Sequence, residues 1–295
     1  MTRTGFFAIV GRPNVGKSTL LNALTGEKVA ITSAKPQTTR NRITGILTQG
    51  DDQYVFLDTP GLHKPRTKLG DYMVKSVSGA IGDVDCAILV VEPNAKISPT
   101  EEQLLARFRR DELPAILVIN KTDRANGDLV GRTIALYAER FSFAAVVPVS
   151  ALREEGVADV LSEASHFLAE SEFIFPPDQF TDQPERQIAA EIIREKILRT
   201  MEDEIPHGTA VVIESFEEKR GVLVIRAEIY CERATHKGML IGKQGEQLKR
   251  IGTYAREDME AFFGCRVHLD LWVRVRENWR DSTVSVSNFG YKKED

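Results

Sequence analysis

The sequence lacks long apolar runs. None approaches the ~18 consecutive residues that a membrane-spanning helix requires, so we expect no such helix. Cysteine is also scarce, with three scattered residues, Cys86, Cys231 and Cys265. Because their number is odd and their spacing does not suit a metal, they indicate buried thiols in a reducing cytosol. Residues 1–5 lead directly into an apolar stretch, and we therefore expect no signal peptide.

A strong charge of one sign is missing as well. The net charge is −4 over 295 residues, so the overall charge does not favour nucleic-acid binding. Locally, residues 219–280 hold thirteen Lys and Arg against eight Asp and Glu, a surplus too modest to indicate RNA binding by itself. With 42% hydrophobic and 28% charged residues, the composition is that of a globular protein. The length allows two domains of ~150 residues each.

One phosphate-binding motif is complete. Residues 11–18 read GRPNVGKS and match G-x-x-x-x-G-K-[ST], between an apolar strand-like segment and a helical one. Its two glycines let the backbone curl, so that N–H groups converge on phosphate oxygens at a helix N-terminus. We expect Lys17 to reach the β- and γ-phosphates and Ser18 to ligate Mg²⁺. The predicted nucleotide-contacting residues of this loop are Gly11, Arg12, Pro13, Asn14, Val15, Gly16, Lys17, Ser18 and Thr19.

The order of segments predicts a doubly wound, mostly parallel α/β sheet, because strand-like and helix-like stretches alternate up to about residue 168. The predicted strands are Phe6–Val10, Arg42–Thr48, Tyr54–Asp58, Cys86–Glu92, Ala115–Asn120 and Ala145–Val149. Residues 173–184 contain three prolines and several large apolar side chains, which predicts a linker pinned to a surface. We therefore predict a first domain over 1–172, this linker, and a smaller α+β domain over 185–295.

Three more signals each follow a predicted strand, at the edge where α/β sheets bind ligands. In the segment DTPG, Asp58 would hold Mg²⁺ through water and Gly61 would offer a backbone N–H to a γ-phosphate, with Thr59 and Pro60 between them. In NKTD, the Asp123 carboxylate would accept both N1–H and N2–H₂ from guanine, a donor pair that adenine lacks.

The remaining contacts of the base would come from the same loops. Asn120 would brace the NKTD loop, and the stem of Lys121 would lie along the base plane. The segment SAL, which comprises Ser150, Ala151 and Leu152, would bring a backbone N–H to guanine O6. Because the four signals occur in order, they support one another and predict binding of GTP and GDP.

The second domain is predicted as helix, two strands, two helices and a strand. Residues 242–245, GKQG, form a G-x-x-G turn between the two central helices. Such turns are common, so the motif alone does not distinguish an RNA-binding turn from a plain helix–helix connection. We also predict a helix over Glu185–Glu204, a charged turn at Glu217–Gly221 and a final strand that ends near Val275.

In its motifs the chain resembles the Era family of GTPases from Phe6 to about Trp279. The segment QTTR at 37–40 resembles that family's first switch, which implies that Thr39 ligates Mg²⁺ in the GTP state. The resemblance implies that Lys17, Thr39 and Gly61 act in catalysis. Where commoner small GTPases carry a water-orienting Gln, this chain has Leu62, which cannot orient water by hydrogen bonding. An Asn at position 14 implies K⁺ binding and slow, K⁺-stimulated hydrolysis; a plain turn former is the alternative.

The second domain resembles a KH domain of type II, whose G-x-x-G turn packs against the phosphates of four single-stranded nucleotides. The residues implied to bind RNA are Lys237, Ile241, Gly242, Lys243, Gln244, Gly245, Lys249 and Arg250. The run 269–280 resembles the Era C-terminal strand and tail. Trp272 and Trp279 would be available there to stack on bases or on the neighbouring domain, and for Trp272 we predict core packing instead.

The family implies binding to the 3′ end of small-subunit ribosomal RNA and a role in assembling that subunit. It also implies some peripheral membrane association in an otherwise cytoplasmic protein, which we expect to be a monomer. Two alternatives remain open: a tRNA-modification GTPase, and an RNA-binding adaptor in which the nucleotide is structural.

Overall fold

Alternating apolar segments in the N-terminal part of the chain form one sheet with helices on both faces. The structure, a computed structural model, describes residues 1–35, 37–62, 65, 67–82, 84–94, 96–202 and 205–291. It contains two compact units, residues 1–65 with 73–182, and residues 66–72 with 183–295. The linker predicted at 173–184 therefore groups with the first unit as far as residue 182.

The strands of the first unit are β1 (Arg3–Val10), β2 (Ile43–Gln49), β3 (Asp52–Asp58), β4 (Cys86–Val91), β5 (Ala115–Ile119), β6 (Ala145–Pro148) and β7 (Ala169–Glu170). Its helices are α1 (Lys17–Thr25), α2 (Lys68–Ala80), α3 (Pro99–Arg110), α4 (Gly127–Ala138) and α5 (Val157–Ala164). The sheet order is β2-β3-β1-β4-β5-β6, with β2 antiparallel to β3 and β7 antiparallel to β1. The other neighbours are parallel, which confirms the predicted fold class.

The parallel arrangement explains why the sequence signals meet. The loops after β1, β3, β5 and β6 all leave the sheet at its carboxyl edge, because parallel strands end on the same side. Strands β4 and β5 are buried along their whole length, as expected for strands covered by helices on both faces.

Residues of the predicted linker are hydrogen-bonded to β2 and β3. The buried Gln53 side chain accepts from the N–H groups of Ile174 and Phe175 at 2.9 and 3.0 Å, and it donates to the Phe175 carbonyl at 2.8 Å. The Thr181 hydroxyl donates to the carbonyl of Thr44 at 2.8 Å. These bonds attach the segment to β2, the edge strand of the sheet, and to its neighbour β3.

The second unit contains α6 (Glu185–Thr200), β8 (Ala210–Lys219), β9 (Val222–Cys231), α7 (Ala234–Ile241), α8 (Glu246–Phe263), β10 (Arg266–Val275) and α9 (Thr283–Asn288). Its sheet has the order β10-β9-β8, parallel between β9 and β10 and antiparallel between β8 and β9. Apolar residues of α6, α7 and α8 pack with the inward residues of this sheet in one core. In the described residues, no helix combines the length and apolar character needed to cross a membrane.

Two predicted boundaries in this unit are wrong. The helix predicted over Glu185–Glu204 ends at Thr200, because Met201 adopts an extended backbone conformation. The charged turn is also shorter than predicted, since β8 continues to Lys219 and β9 begins at Val222. The connecting Arg220-Gly221 has φ of 54° and 75°, and two left-handed residues suit the twist of a tight hairpin.

The prediction that Trp272 packs in the core is wrong. Its side chain is 64% exposed, whereas Trp279 is fully buried and donates from Nε1 to the carbonyl of Gly208 at 2.9 Å. On β10 the buried Val267 and Val273 are an even number of residues apart, so they share one face of the sheet. Residue 272 therefore falls on the opposite face.

Candidate functional site

The predicted nucleotide-site residues lie on four loops at one edge of the first sheet. These loops are Gly11–Gly16, which leads into Lys17, Ser18 and Thr19 in the first turn of α1, Asp58–Gly61 at the end of β3, Asn120–Asp123 after β5, and Ser150–Leu152 after β6.

Both glycines of the phosphate loop occupy positions that only glycine fits. Gly11 has φ of +148°, and a Cβ there would lie 2.3 Å from the carbonyl oxygen of Val90. Gly16 has φ of +97°, and a Cβ there would lie 2.2 Å from Nδ2 of Asn120. Left-handed backbone and close neighbours both exclude a side chain, so the loop conformation depends on glycine at these two positions.

Lys17 is buried within the loop. Its Nζ donates to the carbonyls of Arg12 at 2.9 Å and Gly11 at 3.3 Å. Burial lowers the pKa of Lys17 to about 8, although the carboxylate of Asp58 opposes this shift. The ammonium group is thus held at the N-terminal end of α1, where phosphate binding is favoured.

Three oxygen-bearing side chains converge beside Lys17. The Ser18 hydroxyl donates to Oδ2 of Asp58 at 2.6 Å and lies 2.7 Å from the hydroxyl of Thr39, which is 3.3 Å from the same carboxylate oxygen. Asp58 is fully buried, and burial raises the pKa of its carboxyl group while Lys17 and the two hydroxyls lower it.

The donor set of this cluster fits Mg²⁺. Among the described residues, Oδ1 of Asp58 is buried without a hydrogen-bond partner, which is costly for a carboxylate oxygen unless a cation or another donor compensates. Within the same part of the chain, no three His, Cys, Asp or Glu residues form a metal-binding group. A single carboxylate with hydroxyls and substrate phosphates is the kind of set that Mg²⁺ accepts.

The segment Asp58–Gly61 packs directly on the phosphate loop. A Cβ on Gly61 would lie 2.5 Å from Cα of Pro13, so no side chain fits there. The Thr59 hydroxyl donates to the carbonyl of Ile9 at 2.9 Å. Leu62 is partly buried and packs against an apolar cluster that includes residues of β4, β5 and α3. The neighbouring His63 lies outside the described residues.

Asn120 joins three loops. Its Nδ2 donates to the carbonyl of Val15 at 2.8 Å, and its Oδ1 accepts from the backbone N–H of Ala151 at 3.0 Å. The Lys121 ammonium donates to the carbonyl of Asn14 at 2.5 Å and pairs with Glu92. The base-binding loop and the phosphate loop are therefore connected through side chains of the NKTD segment.

Asp123 is oriented by Ser150. The Ser150 hydroxyl donates to Oδ1 of Asp123 at 2.8 Å, and this bond lowers the pKa of the Asp123 carboxyl group. A carboxylate that stays ionised is the acceptor that guanine's two donors require. The Leu152 side chain is 71% exposed, so only its backbone belongs to this loop. Among the backbone N–H groups of residues 150–152, that of Ala151 donates to Oδ1 of Asn120 in this structure.

One residue that supports the loop was not singled out from the sequence. Glu101 on α3 is fully buried and accepts from Nε of Arg12 at 2.8 Å and from the N–H of Ser98 at 2.7 Å. The Arg12 side chain therefore points to α3, while its carbonyl accepts from Lys17. The sequence SPTE at 98–101 is a capping box that predicts the start of α3. It does not predict the ion pair between Glu101 and Arg12, because the two residues are far apart in the sequence.

Asn14 has a left-handed backbone with φ of 65°, as its second interpretation as a turn former predicts. Its side chain is exposed and donates from Nδ2 to the carbonyl of Ala34 at 3.0 Å. The residue thereby contacts the segment that leads into Thr39.

In the second unit, the G-x-x-G turn joins α7 to α8. Gly242 has φ of +74°, and a Cβ there would lie 2.7 Å from Cβ of Gln247 and 2.9 Å from its backbone nitrogen. Gly245 has φ of +82° and forms the N-cap of α8, and Gln244 between them is also left-handed. The turn thus presents backbone at the N-terminus of a helix, and Lys243 is exposed on it.

The predicted RNA-binding residues divide between two faces of α8. Gly252 faces β10, because a Cβ on it would contact the Leu271 side chain at 3.4 Å. Lys249 is three residues earlier and shares that face, whereas Arg250 lies on the opposite one and approaches the carbonyl of Thr200 at 3.5 Å. On α7, Lys237 is exposed and Ile241 packs against the core.

The shifted pKa of Lys17 predicts a pH-dependent nucleotide affinity. Bound phosphates stabilise the charged ammonium, so binding takes up a proton wherever Lys17 is neutral beforehand. With a pKa of about 8, we expect the Kd for GDP to be about fourfold higher at about pH 8.5 than at about pH 7. Titration with a ribose-labelled fluorescent GDP measures this, and calorimetry in two buffers measures the proton uptake. An unchanged Kd without proton uptake would contradict it.

Two family models match the chain, the 50S ribosome-binding GTPase over residues 6–121 and the KH domain over residues 204–280. The GTPase Era of Clostridioides difficile is 46% identical over 294 residues and covers 99% of each chain. The GTPase Era of Clostridium kluyveri is 44% identical over 293 residues, covering 99% of this chain and 100% of the relative.

Two solved structures match nearly the whole chain with a TM-score of 0.94 and 36% identity. One is Era in complex with MgGDPNP and nucleotides 1506–1542 of 16S ribosomal RNA, covering 99% of both chains. The other is an Aquifex aeolicus Era variant bound to GDP and AlF4⁻, covering 98% of this chain and 99% of that one. With nucleotide-site loops of this geometry, a G-x-x-G turn in the second unit and full-length relatives of this identity, the chain belongs to the Era family of GTPases.

Proposed function

We propose that this GTPase hydrolyses GTP slowly to GDP and phosphate, and that the bound nucleotide governs how its KH domain binds the 3′ end of small-subunit ribosomal RNA. The role would be in assembly of the small ribosomal subunit. A related Era has been solved with both MgGDPNP and a 16S ribosomal RNA fragment, which supports joint binding in this chain.

The observation that carries the nucleotide half of the proposal is the convergence of Ser18, Thr39 and Asp58 beside the buried Lys17. Thr39 belongs to the segment that the family resemblance assigns to the first switch. A switch threonine bonded to the same carboxylate as the loop serine links the conformation of that segment to this site. Its conformation is therefore expected to depend on which nucleotide is bound.

Each residue of the site has a role that follows from its position. Lys17 would neutralise the β- and γ-phosphates, and the backbone N–H of Gly61 would contact the γ-phosphate where no side chain obstructs it. Asp123 would select guanine, and Asn120 would hold the base loop against the phosphate loop. Ser18, Thr39 and Asp58 would hold Mg²⁺, which when bound neutralises negative charge on the phosphates.

Leu62 packs against an apolar cluster and cannot orient water by hydrogen bonding. We propose that Asn14 helps to bind K⁺, which would add positive charge next to the phosphates. We expect single-turnover hydrolysis to be about 100-fold faster in K⁺ than in Na⁺ at equal ionic strength, the lower end of what one positioned donor group contributes to catalysis. Asn14→Ala should remove this difference, and equal rates in wild-type protein would refute the K⁺ proposal.

The experiment that tests the main proposal combines two measurements on one preparation. Release of labelled phosphate from GTP measures hydrolysis, and binding of the 1506–1542 RNA fragment with GDPNP or GDP measures coupling. Phosphate release together with a nucleotide-dependent RNA affinity supports the proposal. No phosphate release over hours would instead support the RNA-binding adaptor with a structural nucleotide.

We also infer that the protein acts as a cytoplasmic monomer. Peripheral membrane association, implied only by the family resemblance, stays a prediction. Sedimentation with vesicles of anionic lipid, with and without GTP, would test it.

A further inference from the structure

A cleft of about 460 Å³ opens behind the G-x-x-G turn. It lies between the C-terminal end of α6, the end of α7 and the first turns of α8. We call it the back cleft, and its lining residues are Thr200, Met201, Glu202, Met239, Gly242, Lys243, Glu246, Gln247 and Arg250.

The back cleft is separate from the face of α8 that lies against β10. Gly252 marks that front face, because a Cβ on it would lie 3.4 Å from the Leu271 side chain, and Arg250 lies on the opposite side of the helix. Gly242 and Lys243 belong to the turn itself and also line the back cleft. A strand that passes over the turn on the front face would therefore have a second recess directly behind it.

The chemistry of the back cleft suits a nucleobase. Met239 is 56% exposed, although large apolar side chains are usually covered, and Met201 lies in the same cleft. Thioethers pack favourably against aromatic rings. The Gln247 amide donates to the carbonyl of Thr200 at 3.3 Å and lies 3.2 Å from Sδ of Met201, so it fixes that wall.

The charged groups around the cleft also match a nucleotide. Glu202 and Glu246 are exposed carboxylates that accept hydrogen bonds, as the exocyclic amines of adenine, guanine and cytosine require. Lys243 and Arg250 supply cations for the adjoining phosphates. A duplex would not fit, because its bases are stacked and paired, whereas a single-stranded base can turn into a recess.

We propose that the back cleft binds one further nucleotide of the RNA strand held by the G-x-x-G turn, beyond the four on its front face. This inference rests on the proposed function, since it assumes that the turn contacts RNA. It assigns Met239 as a base-packing residue, and it predicts that the strand bends around the turn at one end.

The test compares short and lengthened RNAs on the full chain. Overlapping four-nucleotide RNAs that tile nucleotides 1506–1542 of 16S ribosomal RNA identify the tetranucleotide that binds most tightly. That RNA is then extended by two of its own neighbours at the 5′ or the 3′ end. We expect extension at one end to raise affinity about fivefold, the scale of a sulfur–ring contact.

Met239→Ser should remove this gain and leave the affinity for the tetranucleotide unchanged, and Met239→Leu should restore most of it. Val284→Ser is the matched control, because Val284 is a 67% exposed apolar residue on α9 that does not line the cleft. Equal wild-type affinities for all lengths would overturn the proposal, as would an equal loss for short and long RNAs in Met239→Ser. If no tetranucleotide binds, the RNA half of the proposed function fails and the cleft assignment fails with it.

Discussion

Replacing Asp123 by Asn is expected to raise the Kd for GTP by ~1000-fold, because two hydrogen bonds from guanine to a charged acceptor together contribute about 4 kcal/mol. The NH₂ group of the asparagine side chain would also face an N–H group of guanine, and two hydrogen-bond donors repel each other. Ser150 keeps the wild-type carboxylate oriented and ionised, so the change removes an acceptor that is already in place. Equilibrium binding of fluorescent GTP and ATP analogues measures both affinity and selectivity.

The same substitution should create a new preference. Xanthine carries a carbonyl where guanine carries its exocyclic amine, and that carbonyl can accept from the asparagine amide. We therefore expect Asp123→Asn to bind xanthosine triphosphate more tightly than GTP. Asp128→Asn is the matched control, because Asp128 is an exposed acid on α4 outside the site and its loss removes the same charge. If Asp123→Asn still prefers GTP to ATP, Asp123 is not the residue that selects guanine.

Replacing Gly242 by Asp is expected to lower RNA affinity by ~100-fold or more, since a carboxylate next to a phosphate costs several kcal/mol. The backbone conformation at Gly242 makes the expected loss of RNA affinity larger. At φ of +74° a side chain is strained, and its Cβ would meet Gln247 at 2.7 Å, so the turn itself would shift. Electrophoretic mobility shift with the 1506–1542 RNA fragment measures the loss.

Gly221→Asp provides the matched control for this change. Gly221 also has a left-handed backbone, with φ of +75°, but its Cβ would have no neighbour within 4 Å and it lies in the β8–β9 hairpin. We expect this variant to bind RNA nearly as the wild type does. Both variants should keep their affinity for GDP, since both glycines belong to the second unit and the nucleotide loops belong to the first. Undiminished RNA binding by Gly242→Asp would show that the turn is not the contact.

Most of the candidate nucleotide site could be predicted because its residues belong to short, contiguous segments. A phosphate loop needs glycine at Gly11 and Gly16 for reasons of backbone geometry, and guanine selection needs a carboxylate such as Asp123. Each segment follows a strand of a parallel sheet, whose carboxyl ends share one edge. Local sequence was therefore enough to place the four loops together.

The sequence-based predictions were wrong or incomplete where a residue's environment depends on residues that are distant in the sequence. The apolar character of Trp272 suggested the core, but the alternation of β10 places it on the outer face. The end of α6 was predicted four residues too late, since the helical pattern does not reveal where a helix stops. Arg12 lies in the predicted phosphate loop, but local sequence did not reveal that its side chain pairs with Glu101, 89 residues away.

The sequence by itself determined which candidate groups this chain carries: a phosphate loop, a carboxylate predicted to select guanine, and a glycine turn. These are local patterns, and they predict the same chemistry in any chain in which they follow strands or lie between helices. The tertiary structure alone decided which side chains share a space, including Asn120 against the phosphate loop, Glu101 under Arg12, and the back cleft behind the turn. Such contacts arise when segments far apart in the chain pack together, and packing depends on the shapes of all the partners at once.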